Sequence, residues 1–299
     1  MKKLLLGLLP FLFWACSEEK PNTKDLDAEF EAQQTTSAPS VSQEAISGII
    51  QQIPSPLEIS FLLKDQGIKY DNQFLNDPKA ISNYNSDFQK AINLGIYGAD
   101  LGYTNIYEQN QDAVYYLQSI QKLSEGLNIG QFFNFQEIRR LATNSSNLDS
   151  LLLTTTRNYN SINEYLQKKQ RANLSVLLLT GGWLEALHIT TQVAQQNPSN
   201  QGLVDKIGEQ KLVLDQVKLL LDFYKNSDPN IGQLRKDFEP LVQAFNKVDF
   251  IYTYKEPEMK EVDGEMVIID NSTTEIKITP EILEEIKSET TKIRSIVTK

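Results

Sequence analysis

Residues 93–106 read Asn-Leu-Gly-Ile-Tyr-Gly-Ala-Asp-Leu-Gly-Tyr-Thr-Asn-Ile. The surrounding pattern, from Lys79 to about Asn110, predicts a long helix, yet Gly95, Gly98, Ala99 and Gly102 fall three or four residues apart within it. Glycine inside a helix costs about 1 kcal/mol relative to alanine. Small residues on one face offset that cost where a second helix approaches closely. A second glycine-bearing stretch, TGGWLEALHITTQ at 180–192, lies 83 positions after YGADLGYTNIYEQ when Gly181 is set against Gly98. Each is followed by a further amphipathic helix. The expectation is two related helical hairpins facing one another.

Outward from that centre the chain is mainly helical. Ser42 to Ile53 predicts a short helix. Ser55, Pro56 and Glu58 make a capping-box-like start for another, closed by Gly67. A loop follows to about Pro78, with Tyr70 and Phe74 as core pins. Helices are predicted over 111–125 with Gly126 as its cap, from Phe132 through Leu141, over 149–170, over 173–196, over 202–224, and from Asp228 to about Val248. The tail differs. Asp263-Gly264 sits between β-forming runs, Glu275-Ile-Lys-Ile alternates, and Thr279-Pro280 opens a last helix. Lys292, Arg294 and Lys299 fall near its C-terminal end, where positive charge suits the dipole. The fold class is therefore a mainly α multi-helix bundle, with a small C-terminal β-hairpin and a final helix.

The amino terminus decides the address. Lys2 and Lys3 precede the apolar run LLLGLLPFLFWA, which ends on Cys16, the only cysteine. The run is too short to span a bilayer and has the flanks of a secretory signal. It resembles a bacterial lipoprotein signal peptide, which implies lipidation of Cys16. Phe13 and Trp14 depart from the usual residues before that cysteine. Ser17-Glu18-Glu19 resembles the surface-export signal of Bacteroidota lipoproteins. The motifs SPLEISFLLKDQGIKY (55–70), INLGIYGADLGY (92–103) and ITPEILEEIK (278–287) resemble a group of Bacteroidota lipoproteins, a likeness that implies location and fold but no catalytic residues. The predicted layout is a signal peptide at 1–15, a lipidated cysteine and flexible acidic tether at 16–40, a helical domain at 41–249, and a hairpin plus helix at 250–299. The expected location is the cell envelope, lipid-anchored at the outer membrane, on its periplasmic face or the cell surface.

Charge narrows the partners. The chain carries a formal net charge of −10. Removing residues 1–15 takes away Lys2 and Lys3 and no acid, which moves the balance to −12. Such a surface repels phosphate backbones, so nucleic acid is excluded as a partner. Membrane association is expected through acyl chains, and an envelope protein is the candidate partner.

Catalytic sets are incomplete. His188 is the only histidine. With Glu185 it forms an E-x-x-H pair on one helix face, but the second pair that a di-iron bundle requires is missing. A serine triad lacks its G-x-S-x-G context, and no phosphate-cradling glycine loop is present. No metal site or cofactor is predicted. Six tyrosines cluster between Tyr84 and Tyr116, as core edge or recognition surface. Asp149-Ser150-Leu151 matches a short O-glycosylation motif. Two readings follow. One is a non-enzymatic binding or structural module. The other is a small-ligand receptor or enzyme with a site between the glycine-bearing helices, using Asp100, Tyr103, Glu185 and His188.

Overall fold

A computed structural model describes residues 48–49, 63–64, 67–142, 148–262 and 265–299. Most of the predicted helix at 42–53, most of that at 56–67 and the break at 144–147 lie outside the described residues, as do the signal and the tether. Two helices form the centre: α1 (Asp87–Ile106) and α5 (Ala172–Gln196). Both are buried on almost every side, which explains why α5 is apolar all round. Its length and composition would suit a membrane span, but 89% of its most apolar window is buried inside the protein.

The two cross with backbones in contact. A Cβ on Gly95 would fall 2.7 Å from Gly182 N and nearer still to the Leu178 carbonyl oxygen. A Cβ on Gly181 would strike the Ile92 carbonyl in the same way. Gly98, by contrast, meets nothing and is exposed. The helices therefore face each other as expected, through Gly95 rather than Gly98.

The remaining helices pack around this pair. α2 (Asn110–Gly126) lies against α1, and α6 (Gln201–Tyr224) against α5. α3 (Phe135–Ala142) and α4 (Leu148–Lys168) connect the two halves. The Asp149-Ser150-Leu151 motif falls in the first turn of α4. α7 (Pro229–Asp237), α8 (Glu239–Asn246) and α9 (Pro280–Val297) complete the bundle, with α9 seated on α5, α8 and α1.

Several boundaries differ from the sequence reading. The long helix does not begin at Lys79. A 3-10 helix occupies Pro78–Asn83, and α1 starts after Ser86, whose hydroxyl and Gln89 form a reciprocal capping box. Gly126 is the last residue of α2, and Asn128 takes the positive φ, at 59°, that was assigned to it. The helix expected over 228–248 is two helices, because Pro240 removes a backbone donor just after Phe238. Gly67 does close its helix, with φ 72° and its N–H on Lys64 O at 2.9 Å.

The expected β region precedes the last helix as two antiparallel strand pairs. β1 (Asp249–Thr253) pairs antiparallel with β4 (Thr273–Lys277), and β2 (Glu258–Val262) pairs with β3 (Glu265–Ile269). The registers differ by one: residues 254–257 face only 270–272. The four strands are one two-stranded arm with an extra residue on its first side, a bulge that bends the ribbon. Ser272 Oγ and Asn271 Nδ2 bridge to the Lys255 and Glu256 carbonyl oxygens at that bend. At a strand rise of 3.3 Å per residue the arm spans roughly 40 Å. Its base rests on α6, where Gly208 makes room for Ile276 and Ile278, and Lys211 reaches the Val248 carbonyl oxygen and the Phe250 ring.

Candidate functional site

The polar residues of the two central helices converge with a residue of the last one. Asp100 on α1 and Glu185 on α5 are both 0% exposed. Between them and the loop before α1 stands Arg294, on the inward face that α9 presents with Ile286 and Thr290. Its Nε donates to Glu185 Oε2 at 2.6 Å and its Nη2 to Oε1 at 2.7 Å, a bidentate pair. Nη2 also reaches the Phe74 carbonyl oxygen at 3.1 Å. Burial works against the guanidinium's charge, but the adjoining Glu185 and Asp100 more than offset it and hold the group protonated.

Asp100 is different. Burial, reinforced by the Glu185 charge, pushes its carboxyl well above the ordinary carboxylate range, against the pull of Arg294. Its Oδ2 accepts from the Asn76 N–H at 3.3 Å, and no donor faces Oδ1. A protonated Oδ1 resolves that vacancy by donating to Glu185. The cluster is then one acid, one carboxylate and one guanidinium, neutral overall. His188, one helical turn after Glu185, bonds the same Phe74 carbonyl and leaves Nδ1 without a partner. Burial lowers its pKa to about 4, so it is neutral at pH 7.

A loop closes this cluster, and tyrosines hold the loop. Tyr97 donates to the Asp77 carbonyl at 2.8 Å and Tyr116 to that of Asn76 at 2.9 Å. The Asn76 side chain donates to Tyr84 at 3.1 Å, and the Asp71 N–H to Tyr103 at 3.2 Å. Ser119 reaches the Pro78 carbonyl at 3.0 Å. An irregular segment has backbone groups that no ladder satisfies. Here phenols whose rings are buried in the bundle supply the partners. Tyr103 also stacks on Tyr70 at 5.3 Å and touches Tyr107 at 4.9 Å. The tyrosine cluster is thus core edge, with the hydroxyls of Tyr84, Tyr97, Tyr103 and Tyr116 turned to the loop. Tyr115, nearly half exposed, is outside that pattern. Leu75 and Asn76 are the buried loop residues, whereas the predicted pins Tyr70 and Phe74 are only half-buried.

The structure therefore brings together Asp100, Glu185 and His188, and joins Tyr103 to the same closing loop. It adds Arg294, which the sequence reading assigned to the helix dipole. The arrangement is sealed: the glycine crossing is closed backbone to backbone, and both acids are inaccessible. A groove of about 350 Å³ lies on the outer side of the loop, lined by Asn72, Gln73, Asp77, Asp112 and Tyr115 among others. Among the described residues no three His, Cys, Asp or Glu side chains gather as a metal site.

Comparison with protein families, with characterised proteins and with solved structures finds no match for the chain. Function must be argued from the molecule itself.

Proposed function

We propose that the chain is a cell-envelope lipoprotein, held at the outer membrane by acyl chains on Cys16, and that it is a non-enzymatic binding module. One observation carries the binding half of this reading. The outer ribbon of the arm exposes Met259, Met266 and Ile268 at 66%, 61% and 73%. Tyr252 and Tyr254 are similarly open at 62% and 66%. Met259 and Ile268 are cross-strand partners, so their side chains share one face with Met266. Exposed apolar side chains grouped on a projecting element mark an interaction surface. The polar residues best suited to chemistry are meanwhile committed to one another beneath the loop.

The anchoring half rests on the Leu4-to-Cys16 layout and the likeness to Bacteroidota lipoproteins. Two measurements test the proposal. A Cys16→Ser chain expressed in its native envelope should lose the acyl mass and leave the detergent phase. Unchanged mass and partitioning refute the anchor. A photo-reactive residue at Met266 in intact envelopes should give a discrete crosslinked species on illumination. Its absence, beside a productive control crosslink elsewhere, refutes the binding arm.

A further inference from the structure

The geometry of β3 points to a second copy of this chain as the occupant of the arm. We infer that two arms pair antiparallel, β3 against β3, about a twofold axis at Val267. This rests on the arm being a binding element, as proposed above, and names what it binds.

Among the described residues β3 has a strand on one side only. A two-stranded ribbon with nothing beneath it is marginal in water, and a third strand or a covering element is required for independent stability. The pairing register shows which groups remain. Two residues connect Val262 to Glu265, so that pair exchanges backbone bonds. The alternation then gives Lys260–Val267 and Glu258–Ile269 the same pattern, and turns the amides and carbonyls of Met266 and Ile268 to the free edge.

The sequence of that edge is Glu265-Met266-Val267-Ile268-Ile269. Antiparallel pairing about Val267 sets Met266 opposite Ile268 of the second copy, twice, with the four outward backbone groups of each strand satisfied. Met266 and Ile268 lie on the exposed apolar face and meet their own kind across the new ladder. The charge arrangement permits it. The strand holds one acid, Glu265, and the register places it opposite Ile269 of the second copy. Two Glu265 backbones would then stand about 14 Å apart, beyond the Debye length of about 8 Å. Shifting the register by two residues toward the turn brings the two acids closer, and shifting it the other way leaves only residues 267–269 paired, so charge and strand length together select the register centred on Val267. Five paired residues bury far less than the roughly 800 Å² per partner of a stable interface. The association is accordingly weak and concentration-dependent.

The test uses full-length chain with Cys16→Ser, so that an introduced cysteine is the only thiol. Val267 faces itself across a non-hydrogen-bonded site, where Cα atoms stand about 4.5 Å apart, within disulfide reach. Under mild oxidation from 1 to 100 μM, Val267→Cys should give disulfide dimer in proportion that rises with concentration. It should exceed Ile269→Cys and Met259→Cys at least tenfold, since the twofold holds both of those positions apart from their twins. Adding Ile268→Pro removes an N–H that only the second copy would use, and should abolish the dimer without altering the urea midpoint. Dimer yields equal at 267 and 269, or insensitive to Ile268→Pro, overturn the pairing. A Met266 photo-adduct with a different protein, or binding to phosphatidylcholine vesicles without any Val267→Cys dimer, overturns self-pairing while leaving the binding arm standing.

Discussion

Replacing Gly95 by alanine should destabilise the protein, and replacing Gly98, three residues along the same helix, should stabilise it. In the first case the new methyl lands 2.7 Å from Gly182 N and closer to the Leu178 carbonyl oxygen. Ordinary carbon contacts need about 3.5 Å. Neither obstacle is a flexible side chain that can swing aside. Both belong to the backbone of α5, so the helices must part by about 1 Å or more where they cross. Overpacking of a core costs about 1–3 kcal/mol, and more where backbone must move. Against this stands a helix-propensity gain of about 1 kcal/mol. The net loss for Gly95→Ala should reach about 2 kcal/mol or more, because the separation loosens every side chain packed between α1 and α5. At Gly98 the methyl meets nothing and the site is exposed, so only the gain of roughly 0.5–1 kcal/mol remains. Urea titrations followed by far-UV circular dichroism would read both as midpoint shifts of opposite sign at unchanged slope. A Gly95→Ala chain within about 0.5 kcal/mol of the parent would refute the close crossing as the reason for these glycines.

The buried cluster makes three further predictions. Arg294→Met leaves Glu185 as an unpaired buried charge and should cost about 3–5 kcal/mol, with the Glu185→Met/Arg294→Met double variant recovering much of the loss in a thermodynamic cycle. Arg294→Lys should recover little, because an ammonium does not reproduce the bidentate pair and the third bond to Phe74. Asp100 holds its proton in the folded state at pH values where the unfolded chain has lost it, so its contribution to stability is fully present below about pH 4 and is lost as pH rises. Asp100→Asn mimics the protonated acid and should remove that slope, and the parent-minus-variant stability measured by urea melts from pH 4 to 8 should fall with rising pH; a flat difference would show that Asp100 ionises freely. His188 acts with the opposite sign: its pKa of about 4 lies below the unfolded value of about 6.5, so stability is lost as pH falls between those values, by up to about 3 kcal/mol. His188→Gln should flatten that acid limb, and an unchanged acid limb would place the histidine in water.

The bundle was legible because its signals are local. Apolar residues at helical spacing, Thr279 and Asp228 at caps, and Asp263-Gly264 between β-formers each announce one element within a few residues. The failures have physical causes. Asn128 supplies a left-handed residue that Gly126 seemed made for, since asparagine tolerates that region and the helix runs one residue further. Pro240 splits a pattern whose apolar spacing continues through it. The hairpin at Asp263-Gly264 was legible, but Tyr254 to Pro257 interrupts the alternation, so nothing local says that Asp249–Thr253 pairs with Thr273–Lys277 beyond it. In the site, Asp100 and Glu185 stood out as acids among apolar residues, and Glu185 with His188 as neighbours one turn apart. Their meeting depends on two helices far apart in sequence.

Arg294 does sit in the last turn of α9, and its second role, on Glu185, also explains the architecture. Near a helix C-terminus an arginine has a sufficient local role, so nothing forces a search for a distant one. Yet Thr290 and Ile286, four and eight residues earlier, put it on the buried face of α9. Two buried acids demand a cation from somewhere in the chain, and an arginine on an apolar face is the residue able to supply it. The consequence is that α9 fastens the start of α1 and the segment before it. Arg294 bonds the Phe74 carbonyl, Val297 accepts from Asn93, and Thr298 accepts from Tyr84. Of these, only the Arg294 bond falls on the loop over residues 71–78, which Tyr97, Tyr103, Tyr116 and Ser119 also hold from α1 and α2. Deleting α9 would remove at once the cation, its bond to the loop at Phe74 and the acceptors of Asn93 and Tyr84. The arm enters and leaves between α8 and α9, so docking of α9 also fixes the arm's base on α6. A rigid base is what an exposed ribbon needs if it is to present one edge in one register to a partner, and the seating of Ile276 and Ile278 over Gly208, with Lys211 on the Val248 carbonyl, supplies it.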